Sequence, residues 1–492
     1  MDLPRRVMLI GLDALDHRKL RQWMNEGSLP NMAKFAERSI SLAVASDGEL
    51  LHGSVWPTFA SGWTPGHHGI YWWTQWLAEE ARYVRNSHGA FDFDPFWRQA
   101  ALAGKRSIIV DVPYVRAVRD GHTWTAVGWG LHDEMEPVSY PEPFLPAIRR
   151  RYGDHPLRMD TMHSMDPRAK RRMAADMARG VAMRARLVAD LAGRRDWEFF
   201  FVTFSETHKA GHYLAADEDL GEGMTNDDAI RSIVEPFDRA FPEIVERAGE
   251  DTDIAILALH GMEPQVEWSA VAPQFAALVD DRSLEAATPS PDLVRRIRNL
   301  LPPQLQQAIW YLFPPSLRQR RFAQTVTQGL TGDERLFHVS HDGALALRLN
   351  LAEREKNGSV SAEEGQRLLT RAAELASQME TDGAERAFEP LLRSAQRFPG
   401  PRSHRLPDAF VPLNPAVERV EWLAASDGRR VGNPAHEARN GVHTSEGFCF
   451  YWPAAPVEAQ RSAVSSLDFA PSILQRLGLS APESLEGEPF FA

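Results

Sequence analysis

The stretch VMLIGLDALD, residues 7–16, decides the reading of the fold. Residues 7–12 are apolar or glycine, with no polar face to turn to water. They predict a buried strand with Asp13 at its carboxyl end. Outward from it, residues 17–27 follow with helical spacing and stop at a glycine, and residues 30–36 predict a second short helix. Three more runs read as buried strands: 106–113 (RSIIVDVP), 199–204 and 254–259. Charged, alanine-rich stretches such as 169–191 lie between them and read as amphipathic helices. Strands alternating with helices predict an α/β chain on a mainly parallel sheet with helices on both faces. Such sheets bind ligands beyond the carboxyl ends of their strands.

With 492 residues the chain can bury a large core, and single α/β units reach this length. Residues 265–332 break the alternation. They are rich in proline, arginine and glutamine and read as an inserted helical or partly mobile segment; the arginine-rich part, 317–322, reads as a solvated helix face. Beyond it, 345–351 predicts a strand, 358–379 a turn and a helix, and 466–477 a terminal helix stopped by Gly478. The net charge of −12 argues against a nucleic-acid polymer as partner, because binding its backbone calls for a basic surface. A small anionic substrate stays compatible with that charge, since metal ions reverse the local field. Cys449 is the single cysteine, which rules out an intramolecular disulfide; within FCFY, 448–451, it reads as a buried strand thiol. The first residues do not read as a signal peptide, and no run approaches the ~18 to 20 apolar residues of a membrane span. The expectation is a cytoplasmic protein without membrane contact. Oligomeric state is not legible.

Polar residues gather just after the apolar runs. Asp13 follows the first strand, His208 and His212 follow 199–204, His260 follows 254–259, and His443 precedes the strand-like run 447–451. A parallel sheet could bring this acid and these four histidines to one rim. His208 and His212, four apart on a helical turn, share a face and can reach one ion. Nitrogen and carboxylate donors suit zinc, with manganese or iron as alternatives. In LHGSVWPTFASGWTPGHHGIY, 51–71, Pro57 can start a helix and places Ser54 near its N-terminus, where an anion is favoured. A hydroxyl beside a metal can ionise and attack; a plain helix cap is the other reading of Ser54. Glu206 reads either as a metal ligand, an acceptor behind a ligand or a general acid, or as a helix-start residue. His68 reads as a buttress of its turn, His67 as exposed, and His341 and His436 as reserve ligands. Several tryptophans fall in Trp56–Trp76 and predict an aromatic wall, in which Trp63, Tyr71, Trp72, Trp73 and Trp76 either stack on substrate or pack a core.

Several of these segments resemble one family. GLDALD (11–16) with SLPNMAKF (28–35) is similar to the opening of type I phosphodiesterase/nucleotide pyrophosphatase proteins, of the alkaline phosphatase superfamily. SGWTPGHHGIY (61–71) resembles their T-G-x-x-P-x-x-H-G-I segment, SETHKAGH (205–212) their D-x-x-x-H, and ALHGM (258–262) stands in the place of S-D-H-G. RNGVHTSEGFCFY (439–451) resembles the late G-x-H-x-x-x-G stretch. LNLAEREKNGSV (349–360), SSLDFAPSILQRLGL (465–479) and LEGEPF (485–490) continue the likeness in order. The resemblance implies one catalytic domain over 1–492, with a three-layer α/β/α fold and two metal sites at the sheet edge. One site would use His208, His212 and His443; the other would use Asp13, His260 and the nucleophile. The implied reaction is in-line attack by a Ser or Thr on a phosphodiester or a related phospho- or phosphonate ester, followed by hydrolysis of the covalent intermediate.

The chain departs from that pattern at three positions. His208 stands where the family has aspartate, so the site loses a negative charge. Leu259 stands where S-D-H-G has its aspartate, so the second site loses a ligand. Counted back from Ser61 without a gap, the nucleophile position falls on His52. We read Ser54 as the nucleophile, allowing a shift of two residues, with Thr58 and His52 as alternatives. The expected function is a metal-dependent hydrolase with one or two ions. The alternatives are an inactive member that binds an anion, and a sulfatase or phosphoryl-type transferase; the absence of a C/S-x-P-x-R motif weighs against a sulfatase.

Overall fold

The computed structural model describes residues 6–86, 91–131, 137–156, 166–265, 270–284, 333–341, 343–417, 420–433 and 439–492, with isolated positions between 309 and 317. These residues form two compact units. The first comprises 1–64, 87–265 and 438–492; the second comprises 65–86 and 266–437. The sequence reading treats 1–492 as one domain. His436, 317–322 apart from its first residue, and most of 265–332 lie outside the described residues; within the latter, Val271–Val279 forms a helix of the second unit.

The strands of the first unit are β1 (Arg6–Leu12), β2 (Ile40–Ala45), β3 (Ser107–Val110), β4 (Thr123–Val127), β5 (Val138–Tyr140), β6 (Phe199–Phe204), β7 (Thr252–Ala258), β8 (Met262–Pro264), β9 (Gly441–His443), β10 (Glu446–Trp452) and β11 (Ala463–Ser465). Nine of them make one sheet in the order β11-β2-β10-β7-β1-β6-β3-β4-β5. β1 pairs in parallel with β6 and β7, and β3 with β4 and β6. Only β10 and the edge strand β5 run against their neighbours. The mainly parallel α/β fold read from residues 7–16 is therefore present.

Strand alternation explains why the sheet needs cover on both faces. Phe200, Val202 and Phe204 of β6 join the core of one face with Met8, Ile10 and Leu12. That core packs against helices α1 (His17–Asn25), α2 (Pro30–Glu37), α4 (Pro167–Ala192), α5 (Glu206–Leu214) and α6 (Asn226–Ala248). The intervening Phe199 and Phe201 meet Trp97, Trp56 and Phe59 on the other face, where α3 (Gly48–Ser61) and α7 (Phe469–Arg476) lie. A strand buried on both sides is apolar along most of its length, and β6 is FFFVTF, with Thr203 its one polar residue.

α3 differs from expectation. It begins at Gly48, breaks at Leu51 (φ −138°, ψ 53°), and carries Pro57 in its interior instead of at its start. The proline forgoes one backbone bond, which costs about 3 kcal/mol in a helix interior. Fully burying Trp56 and Phe59 offsets this, at roughly 1.5–3 kcal/mol for a large apolar side chain.

The second unit holds a four-stranded antiparallel sheet, in spatial order Leu336–His338, Ala344–Leu349, Ala409–Pro412 and Leu392–Arg393. Its core includes the helices Val271–Val279 and Ala362–Gln378. Here Trp76 packs edge-on to Tyr83 and donates its indole N–H to Glu355 (2.7 Å), while Trp72 stacks on His341.

Candidate metal centre

The parallel strands end at one rim, and the site residues stand there. The amide of Asp13 donates to Phe204 O (3.0 Å), which ties the end of β1 to that of β6. The two acids of GLDALD then take separate tasks. Asp16 caps α1, accepting from the backbone N–H groups of Arg18 and Lys19 (2.8 and 3.0 Å). Asp13 is buried, and its carboxylate accepts the Trp56 indole N–H at 3.0 Å. Gly11 is what lets that indole lie on β1: a Cβ there would meet the Trp56 ring at 3.1 Å.

α5 presents His208 and His212 on one face, as their spacing predicts. Their Nε2 atoms lie 3.1 Å apart. His208 Nδ1 faces Asp13 Oδ2 at 2.8 Å, and His212 Nδ1 faces the Gly441 carbonyl at 3.1 Å. A carbonyl can only accept, so His212 Nδ1 carries the proton and its Nε2 offers a lone pair. An ionised Asp13 sets His208 the same way. Two lone pairs held at 3.1 Å repel unless a cation or proton lies between them. Two nitrogen ligands about 2.0–2.1 Å from one zinc in tetrahedral geometry sit ~3.3 Å apart.

His443 enters from β9, which pairs with β8 so that His443 stands opposite Met262. The approach is close: a Cβ on Gly441 would lie 2.1 Å from Gly211 O. The His443 ring is 4.6 Å from His208, 5.0 Å from His212 and 4.7 Å from His260. It is fully buried, and neither ring nitrogen has a hydrogen-bond partner among the described residues. Burial first, then the neighbouring His52, His208, His260 and His212 rings, hold its pKa well below the usual 6.5. A neutral, buried imidazole with unsatisfied nitrogens is a costly arrangement that a metal ion would relieve. Two triads have ligand atoms within 4.8 Å of one another: His208, His212 and His443, and Asp13, His208 and His260. His260 Nε2 is 3.9 Å from Asp13 Oδ1. The residues therefore fit an ion with nitrogen and carboxylate donors.

The other candidates fall in different places. The Ser54 hydroxyl donates to Leu51 O (2.7 Å), back into its own helix. Thr58 is buried one turn further along. His52, which follows the break at Leu51, puts its ring 4.3 Å from His443. Leu259, just past β7, is fully buried. Glu206 belongs to a buried ionic quartet. Its carboxylate meets Arg184 Nε (3.2 Å) and His155 Nε2 (2.8 Å), and Arg184 Nη1 meets Asp111 (2.7 Å). Burial pushes the Glu206 carboxyl up, but Arg184 and His155 outweigh it and hold the pKa below the usual value. Asp111, at φ +48°, also accepts from the amides of Gly128, Trp129 and Gly130. In the second unit His68 is buried and its Nδ1 accepts the Ile70 N–H at 3.0 Å, while His341 accepts from the amides of Gly343 and Ala344. Cys449 is a buried thiol whose pKa burial pushes up.

Sequence reasoning missed Arg184, Asp111 and His155, and placed Trp56 only in an aromatic wall, not as a donor to Asp13. Trp56 carried a readable signal, an indole beside the presumed nucleophile segment. Arg184 looks like any charged residue of a long helix.

The rim of the mainly parallel sheet and its histidine–aspartate cluster fit an alkaline-phosphatase-like α/β protein with a candidate metal centre. The type I phosphodiesterase / nucleotide pyrophosphatase family model matches residues 7–300, and the chain belongs to that family. Phosphonoacetate hydrolase from Sinorhizobium meliloti 1021 shares its fold. The complex with phosphonoformate gives a TM-score of 0.52 and the complex with phosphonoacetate 0.53. Both are 14% identical and cover 97% of this chain and 96% of theirs. Murine ectonucleotide pyrophosphatase / phosphodiesterase 5 in complex with AMP aligns at 10% identity over 97% of this chain and 96% of its own, with a TM-score of 0.47. No curated protein matches the chain. The chain is a phosphoester hydrolase of a metal-dependent superfamily.

Proposed function

We propose that the enzyme cleaves small phosphodiesters or related phospho- and phosphonate esters at a variant metal site, by a nucleophile carried on α3. The observation that carries this reading is the meeting of His208, His212 and His443, with Asp13 behind His208. Those three histidines hold one divalent ion, and zinc fits the donor set best, ahead of manganese or iron. Asp13 orients His208 from behind, as a carboxylate commonly does for a ligating histidine. Asp13 with His260 forms a second half-site, short of the carboxylate that Leu259 does not supply. A bound ion would supply positive charge for the phosphoryl oxygens and for the developing charge on the leaving oxygen. The remaining work falls to the chain: α3 holds the nucleophile against the rim, and Trp56 and the Gly441 carbonyl fix Asp13 and His212.

The test is elemental analysis of the purified full chain, paired with turnover of p-nitrophenyl phosphate and bis(p-nitrophenyl) phosphate after metal loading. One to two ions per chain and turnover of at least one ester are expected. A metal-replete protein that hydrolyses neither ester, and whose Asp13→Ala variant behaves identically, would sink the reading. Tight binding of phosphate without bound metal would favour a non-catalytic anion binder instead.

A further inference from the structure

We propose that the cluster holds one ion, in the group His208, His212 and His443, and has no place for a second; this rests on the metal-site reading above and deepens it. The two candidate triads are not independent, because both draw on His208. Its Nε2 lies 3.1 Å from His212 Nε2, in the first triad. Its Nδ1 lies 2.8 Å from Asp13 Oδ2, in the second. A neutral imidazole has one N–H and one lone pair, so the ring can serve one triad only. The aspartate that the family pattern has at this position would bring two acceptor oxygens and no such limit. Without His208 the second group is left with Asp13 and His260, and both Asp13 oxygens already face protein groups. Oδ1 accepts from Trp56 (3.0 Å) and Oδ2 meets His208.

Two contacts decide which triad keeps the ring. His212 Nδ1 donates to the Gly441 carbonyl (3.1 Å), so its Nε2 turns a lone pair toward His208 Nε2. His443 belongs to the first triad alone. It is buried, with neither ring nitrogen hydrogen-bonded among the described residues. An ion in the first triad gives these lone pairs a partner, whereas an ion in the second leaves His443 as it is. Distance argues against filling both triads through a His208 ring stripped of both protons. With metal–nitrogen bonds of 2.0–2.1 Å, ions on the two nitrogens of one ring stand roughly 6 Å apart. Paired ions that clamp one phosphoryl group stand about 3.5–4 Å apart. The pattern of departures is therefore consistent: histidine at 208 and leucine at 259 both remove the second ion and leave the first.

The experiment titrates the chelator-stripped full chain to saturation with zinc and, separately, with cobalt(II). Gel filtration and elemental analysis then count the ions, and electron paramagnetic resonance of the cobalt form looks for coupling between them. One ion per chain and no coupling are expected. His260→Ala should keep that ion with an affinity within about 10-fold of wild type, the low end of the loss of a supporting group. His443→Ala should weaken it by more than the ~100-fold upper end of that range. Two ions per chain, or coupled cobalt ions, overturn the proposal, and neither measurement needs a variant to fold. Loss of the ion from His260→Ala with retention in His443→Ala overturns it as well. Turnover of the two p-nitrophenyl esters separates this inference from the hydrolase reading. One ion without turnover upholds the single site and sinks that reading. Two ions with turnover do the reverse, and a chain that binds no ion sinks both.

Discussion

Asp13 is the residue on which most of the site turns. It was visible in the sequence because an acid directly after a buried strand lies at the carboxyl rim of a parallel sheet. Its partners were less visible, since each comes from a different element. Asp13→Ala and His212→Ala should each lower bound metal by at least one ion per chain, read by elemental analysis after gel filtration. Trp56→Phe removes the N–H that donates to Asp13 Oδ1, together with part of the buried ring that packs on Phe59 and Phe201. It should weaken metal affinity roughly 10–100-fold, the usual effect of losing a group that supports a ligand, with the far-ultraviolet spectrum unchanged. Leu259→Asp would return a carboxylate beside His260. We expect a higher metal stoichiometry in that variant and lower stability when the metal is removed, because an unpaired buried acid is costly. Titration with a chromophoric zinc chelator checks the first effect and thermal melting with and without EDTA checks the second.

At the scale of elements, the Arg184–Asp111–Glu206–His155 quartet joins α4, the end of β3 and the first turn of α5. Glu206 was read as a ligand, an acceptor behind one, an acid or a helix-start residue; its position at the start of α5 and its ion pairs account for its burial. Breaking a buried pair leaves an uncompensated charge. Glu206→Gln should therefore cost on the order of 3–5 kcal/mol, seen as a lower urea midpoint. Arg184 could not be picked out of 169–191 in advance. That stretch alternates charge and alanine along its length, and only the packing of α4 against the sheet decides which arginine is enclosed. α3 teaches a similar lesson. Pro57 marks helix starts on average, but the actual start depends on a break at Leu51 that burial of Trp56 and Phe59 outweighs.

At the scale of the whole molecule, acid should destabilise the protein through histidines buried in their neutral form. His68, in the second unit, is the clearest case. Burial first, then the charges of Arg402 and His67, lowers its pKa from 6.5 to about 3. Between those values the unfolded chain binds a proton that the folded chain refuses. Stability is therefore present above pH 6.5 and lost as pH falls through the window from 6.5 to about 3. Going from pH 7 to pH 5 this one group should cost about 2 kcal/mol. His68→Asn, which keeps an acceptor for the Ile70 N–H, should reduce that loss when urea midpoints are compared at the two pH values.

The chain by itself determined where the strands at the centre of the main sheet lie and what stands at their ends. Apolar runs of this length in an alternating α/β pattern have few other ways to bury themselves, and period-four histidines on a helix must share a face. The tertiary structure alone decided which of those groups meet. β1, β6 and β7 are neighbours although almost 200 residues separate β1 from β6. The break in α3 at Leu51, just before His52 and Ser54, is likewise not announced by any local pattern. Helix phase and long-range adjacency come from packing, and no local pattern of residues carries them.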